Sequence, residues 1–152
     1  MKTALILILV IVLLFAGSMW WSKSMQSKDP DVITRNGIHW HPELTILVKG
    51  EEQVIPANIG IGAQYASDPT FDRGMGMTAI HTHDDANQGI IHFEFGGIIR
   101  KSDLILSKFL AIWGKDINSF GSNPKMTVNG VENTKLQDYA MQDKDKIVLN
   151  YE

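Results

Sequence analysis

Cysteine is absent from all 152 residues of the chain. That excludes disulfides, thiolate ligands, a cysteine nucleophile and a lipid-modified cysteine anchor. Any transition-metal site must therefore use nitrogen, oxygen or thioether sulfur. Positive charge is also in short supply: 14 Lys and Arg stand against 17 Asp and Glu, for a formal net charge of −3. No basic stripe is present to recommend nucleic acid as a partner. The His-Glu-x-x-His of helical zinc proteases, the Gly-x-Ser-x-Gly elbow and the phosphate-binding glycine loop are all missing. No internal repeat appears at solenoid periods.

Histidine is scarce as well, and its distribution is the strongest signal in the chain. There are five: His39 and His41 in one His-Trp-His, and His81, His83 and His92 within Ile80–Phe95. Side chains alternate between the faces of a strand, so each His-x-His pair directs both imidazoles to one side. Two such pairs on neighbouring strands would converge four nitrogen ligands, with His92 as a fifth. Imidazole suits copper, zinc, nickel and iron. The alternative, a hydrogen-bonded polar cluster, would leave several imidazoles competing for few acceptors. Asp84 and Glu94 are candidates to orient the ligating rings. Glu43 shares the parity of His39 and His41, and Met75 and Met77 lie just before the second cluster as possible thioether ligands or core fillers.

The chain opens with an apolar run, Ala4–Trp21. As a helix it would be about 27 Å long, close to the hydrocarbon thickness of a bilayer. Trp20 and Trp21 fall where an interfacial aromatic belt is expected, which favours a transmembrane anchor over 1–21. The competing reading is a signal peptide cleaved near Ala16-Gly17-Ser18. Both readings put the rest of the chain outside the cytoplasm. Residues 22–36 are polar, include Asp29-Pro30-Asp31, and read as a linker.

Residues 37–152 form the folded domain. Leu44–Val48 is a strand signal answered across the turn Gly50-Glu51-Glu52 by Gln53–Ile59, in which Pro56 argues for an edge. Gly60–Gly76 has the composition of a loop. Ala79–His83 and Ile90–Phe95 form two strands joined by Asp84–Gly89. On the second, Ile91, Phe93 and Phe95 share one parity, and His92 and Glu94 the other. Asp103–Trp113 has helical spacing of Leu106, Phe109, Leu110 and Trp113, with Ser102 or Ser107 to start it and Gly114 to end it. Asn129-Gly130 between Met126–Val128 and Val131–Asn133 is a hairpin, and Ile147–Tyr151 is the last strand. The class is α+β, a β-rich domain with one covering helix.

The ordered set of His39-x-His41, Ile55-Pro56-Ala57-Asn58-Ile59-Gly60, His81-Thr82-His83-Asp84, Gly89-Ile90-Ile91-His92-x-Glu94 and Ile112-Trp113-Gly114 resembles an uncharacterised family of exported or membrane-anchored prokaryotic proteins. The likeness covers about residue 38 to the end. The C-terminal half, with Val128-Asn129-Gly130 and Asp145-x-Ile147, is similar to small β-grasp modules. It implies a β-grasp-like sheet crossed by one helix, with the 79–95 hairpin inserted. Cupins also use His-x-His followed by Glu, but here Gly37 and Glu43 lie too close to the pair and the second cupin motif is missing.

These observations lead to an expected function. The chain reads as a membrane-anchored, extracytoplasmic, non-catalytic metal-binding protein for storage, transfer or sensing, with copper ahead of zinc. A metal donor or acceptor protein is the implied partner. One alternative is an enzyme in which three histidines and an open position activate water or dioxygen, with Asp84, Asp85 or Glu94 as base. Another is a metal-free interaction module whose histidine cluster responds to pH.

Overall fold

The apolar N-terminus forms a single helix, α1 (Lys2–Gln26), in the computed structural model, which describes residues 2–26 and 29–152. Ser27 and Lys28, inside the expected linker, lie outside the described residues. Within α1, Ile6–Ser24 has a mean hydropathy of 2.0 and none of it is buried against protein. It is long and apolar enough to cross a membrane or to act as a signal sequence. Ser18 does not break the helix, because its hydroxyl donates to the Phe15 carbonyl at 2.8 Å and so satisfies itself locally. The chain divides after Asp31, and Val32–Glu152 is a second unit.

That unit is assembled from three sheets. The expected linker ends early: β1 (Val32–Thr34) is already a strand. Next come β2 (Ile38–Trp40), β3 (Glu43–Val48), β4 (Glu51–Gln53), β5 (Ile80–His81), β6 (His92–Phe95) and β7 (Ile99–Arg100). Helix α2 (Leu106–Ile112) precedes β8 (Lys125–Val128), β9 (Val131–Glu132) and β10 (Lys146–Tyr151). The largest sheet has the order β4-β3-β10-β8-β9, a second has β2-β6-β5, and β1 pairs with β7.

Two turns set the large sheet. Asn129 and Gly130 have φ of 53° and 81°, and Lys49 and Gly50 have 53° and 84°. Left-handed conformation at both central residues matches the twist of paired strands, so each makes a tight two-residue hairpin. The first of these was expected. The second moves the turn back by one residue, so that Glu51–Gln53, rather than Gln53–Ile59, pairs with β3. Beyond Gln53, Pro56 has no donor for a ladder. Ile55 and Ile59 instead enter the core singly, and the Asn58 N–H donates to the Thr82 carbonyl at 3.0 Å.

β10 is parallel to β3 and antiparallel to β8. A parallel neighbour requires a crossover, and α2 lies within it. Its buried Leu106, Phe109 and Leu110 share one core with Leu44, Ile46, Met126, Ile147, Leu149 and Tyr151. The helix begins at Leu106, three residues later than expected, and neither Ser102 nor Ser107 caps it; Ile105 occupies the cap with no side-chain bond. The cause is local competition. The Asp103 carboxylate accepts the Arg100 N–H, and Leu104 and Leu106 exchange backbone bonds with Met141 and Tyr139. The C-terminus is as expected. Gly114, at φ 73°, lets its N–H reach the Ala111 carbonyl and lets Lys115 N–H reach Leu110, both within 2.9 Å, the double closure that a left-handed glycine permits.

Candidate metal centre

The three-stranded sheet explains why every histidine in the chain meets. β6 is its central strand. On one side β2 runs antiparallel with His39 opposite Glu94 and Trp40 opposite Phe93. On the other side β5 pairs Ile80 with Phe93 and His81 with His92. Alternation puts Ile91 and Phe93 on the buried face, both at 0% exposure, and turns His92 and Glu94 to the other. His92 is therefore flanked by one His-x-His pair on each side. The expectation of two pairs on adjacent strands is replaced by two pairs astride a third strand.

The polypeptide around the pairs is held tightly. The His41 N–H donates to Asp143 Oδ1 at 2.9 Å. The Pro42 carbonyl accepts from Ile91 N–H, and the Leu44 N–H donates to the Gly89 carbonyl, so the chain beyond β2 stays against the strand that carries His92. Thr82, between His81 and His83, is fully buried. Its hydroxyl donates to the Pro56 carbonyl at 2.8 Å and accepts from Ile59 N–H at 3.0 Å. After His83 the chain makes a 3-10 turn, Asp84–Gln88, closed by Gly89 in the left-handed region.

Two groups of three imidazoles result: His39, His41 and His92, and His81, His83 and His92. Within each group the ligand nitrogens lie within 4.8 Å of one another. The ring centroids form a continuous chain, with His41 to His92 at 4.8 Å and His83 to His92 at 4.7 Å. His81 and His83 face each other through their Nε2 atoms at 3.1 Å. Two nitrogens bound about 2.05 Å from one ion and separated by that distance subtend about 98°. That angle falls between square-planar and tetrahedral values; with His81 Nε2 accepting, the proton of the contact sits on His83 Nε2 and must pass to Nδ1 before both Nε2 atoms can share an ion.

Each group has an orienting partner. His81 Nδ1 lies 2.9 Å from the Thr78 carbonyl. A carbonyl only accepts, so the proton sits on Nδ1 and the lone pair on Nε2, facing His83. His92 Nε2 contacts both Asp85 oxygens, at 3.2 and 3.1 Å. His39 Nε2 meets Glu94 Oε1 at 3.1 Å. For His81 the contact lies on the ring nitrogen opposite the one that meets His83, as is typical of ligating histidines. Burial holds His81 below the ordinary imidazole range, against the Thr78 hydrogen bond and with help from His83. Burial also lowers His41, followed by the charges of His92 and His39. Both shifts favour the neutral, ligand-competent ring.

The auxiliary residues separate. Glu94 joins the site. Asp84 is exposed, and the carboxylate that meets His92 belongs to Asp85, its neighbour in the 3-10 turn. Glu43 points its carboxylate to Lys146 at 3.7 Å. Met75 and Met77 line a cleft of about 440 Å³ together with Asp72, Thr78, His81 and Glu94. Thr78, Thr82 and Asp85 as supports were not legible from spacing, because their roles depend on the turn conformation. Compared with protein-family models, curated proteins and solved structures, the chain finds no match.

Proposed function

We propose that this chain is an extracytoplasmic metal-binding protein held at the membrane by α1, serving metal storage, transfer or sensing, and that its ion is copper rather than zinc. The observation that carries the reading is His92 standing between two His-x-His pairs, with three imidazole nitrogens within 4.8 Å in each group. Nitrogen donors without thiolates favour Cu(II) over Zn(II) in the Irving–Williams order. The thioethers of Met75 and Met77 beside His81 are soft donors suited to Cu(I). A donor or acceptor protein is the partner this reading implies. The strand order β4-β3-β10-β8-β9, with β3 parallel to β10, supports a β-grasp-like description in which β5 and β6 form an inserted hairpin. The motif set from His39 to Gly114 supports kinship with the exported family that it resembles.

The test is metal analysis of the full chain in detergent after incubation with equal copper and zinc and removal of unbound ions. About one equivalent of copper is expected, and less than half an equivalent of any transition metal refutes the reading.

A second reading, an enzyme, draws support from the cleft beside His81. Three histidines leave a coordination position open, and Glu94 lines the same cleft. Azide added to the copper-loaded chain separates the two. An unchanged visible spectrum, meaning a closed site, argues for binding alone, whereas a new charge-transfer band reveals an open position.

A further inference from the structure

The two histidine groups share a single residue, and that sharing limits what they can do together. Resting on the metal-binding reading above, we infer that the groups are successive seats for one ion, an outer one that captures it and an inner one that retains it, and not a two-metal centre.

The first argument is the count of lone pairs on His92. Its Nε2 lies 3.1 and 3.2 Å from the two Asp85 oxygens. A carboxylate accepts, so Nε2 carries the proton of the neutral ring. One lone pair remains, on Nδ1. One lone pair serves one ion. Two ions at once would require an imidazolate bridge, with loss of the Asp85 hydrogen bond and release of the Nε2 proton.

The second argument is access. The His39 side chain is 62% exposed, and His41 is half-buried. His81 is 0% exposed and is fixed by Thr78, with its Nε2 already 3.1 Å from that of His83. The outer pair is reachable from water through His39. The inner pair is preorganised, with His81 withdrawn from solvent and His83 half-buried. An ion arriving at His39 and His41 joins His92 as its third ligand. Transfer then breaks the bonds to His39 and His41 and makes bonds to His81 and His83 while His92 keeps its hold. Metal oxidation state and the proton count on His92 are unchanged throughout, and the proton on His83 Nε2 passes to its Nδ1, so no proton is gained or lost.

Cu(II) titration of the full chain in detergent, with stopped-flow absorbance in the visible region, tests this. The wild type should saturate at one equivalent and load in two phases, a fast one that depends on copper concentration and a slow one that does not. H39A/H41A should lose the fast phase, with initial loading slowed at least ~10-fold, one decade in rate. H81A/H83A should lose the slow phase and dissociate copper at least ~10-fold faster, as affinity differences generally appear in the off-rate. Because His81 is enclosed, circular dichroism checks that this variant is folded; wild-type stoichiometry stands independently of it. Saturation at two equivalents, or a single phase in the wild type, overturns the two-seat inference and leaves metal binding intact. Saturation near zero overturns the metal-binding reading itself.

Discussion

Phe93→Ala tests the division of β6 into a structural face and a metal face. Phe93 is fully buried, stands in register between Trp40 and Ile80 and meets the Phe95 ring edge-on at a centroid distance of 6.2 Å. A buried Phe→Ala change typically costs roughly 3–5 kcal/mol, and the aromatic pair adds up to about 1 kcal/mol within that range. The central position between two strands allows little collapse into the vacated space, so the upper half, about 4–5 kcal/mol, is expected. A domain of this size has a total of roughly 5–15 kcal/mol. Urea unfolding of the metal-free chain in detergent, followed by circular dichroism, should show a much lower midpoint with an unchanged slope. His83→Ala, just beyond β5 at the start of the 3-10 turn, against the His92 ring and half-buried, should cost under about 1 kcal/mol in the same assay. A loss below about 1 kcal/mol for Phe93→Ala, or a larger loss for His83→Ala, would refute the partition of faces.

Other outcomes follow from the same geometry. Gly89→Ala should destabilise by more than about 2 kcal/mol, since Gly89 has φ 77° and a Cβ there would collide with the Leu44 carbonyl, and left-handed backbone alone costs an L residue about 1–2 kcal/mol; thermal melting measures it, and a near-neutral effect contradicts the fold around Asp85 and His92. Asp145→Ala should cost roughly 2–4 kcal/mol because the buried carboxylate accepts from Asn129, Tyr139 and Gln142 and its loss strands those donors; an unchanged urea midpoint would count against this. Metal-free protein should weaken on acidification. His81 and His41 titrate below 6.5 when folded, so between 6.5 and their folded values the unfolded chain binds more protons. Stability should fall as pH drops through about 6.5, and a urea midpoint equal or higher at pH 5 than at pH 7.5 contradicts it.

Local chemistry was legible where one residue type dictates a conformation. Asn129-Gly130 announced its hairpin, Gly114 its helix end, and the alternation of Ile91 and Phe93 against His92 and Glu94 the two faces of β6. Pairing between distant segments was not legible. Nothing in His39-Trp40-His41 states that it lies beside Phe93, and the three-residue β1 carries too little pattern to be told from a linker. Five histidines in two short stretches pointed to one cluster, but that His92 stands in its middle is a consequence of register. Asp85 rather than Asp84 reaches His92 because the 3-10 turn rotates one carboxylate inward and leaves its neighbour in solvent, a choice that depends on turn geometry and not on composition.

Anomalous diffraction from crystals of the copper-loaded full chain tests the central claim most directly. A single strong peak is expected about 2.0–2.1 Å from a ring nitrogen of His92 and from those of the retaining pair, His81 and His83. A peak bound away from His92, or no peak at saturating copper, would contradict a metal centre built across β6.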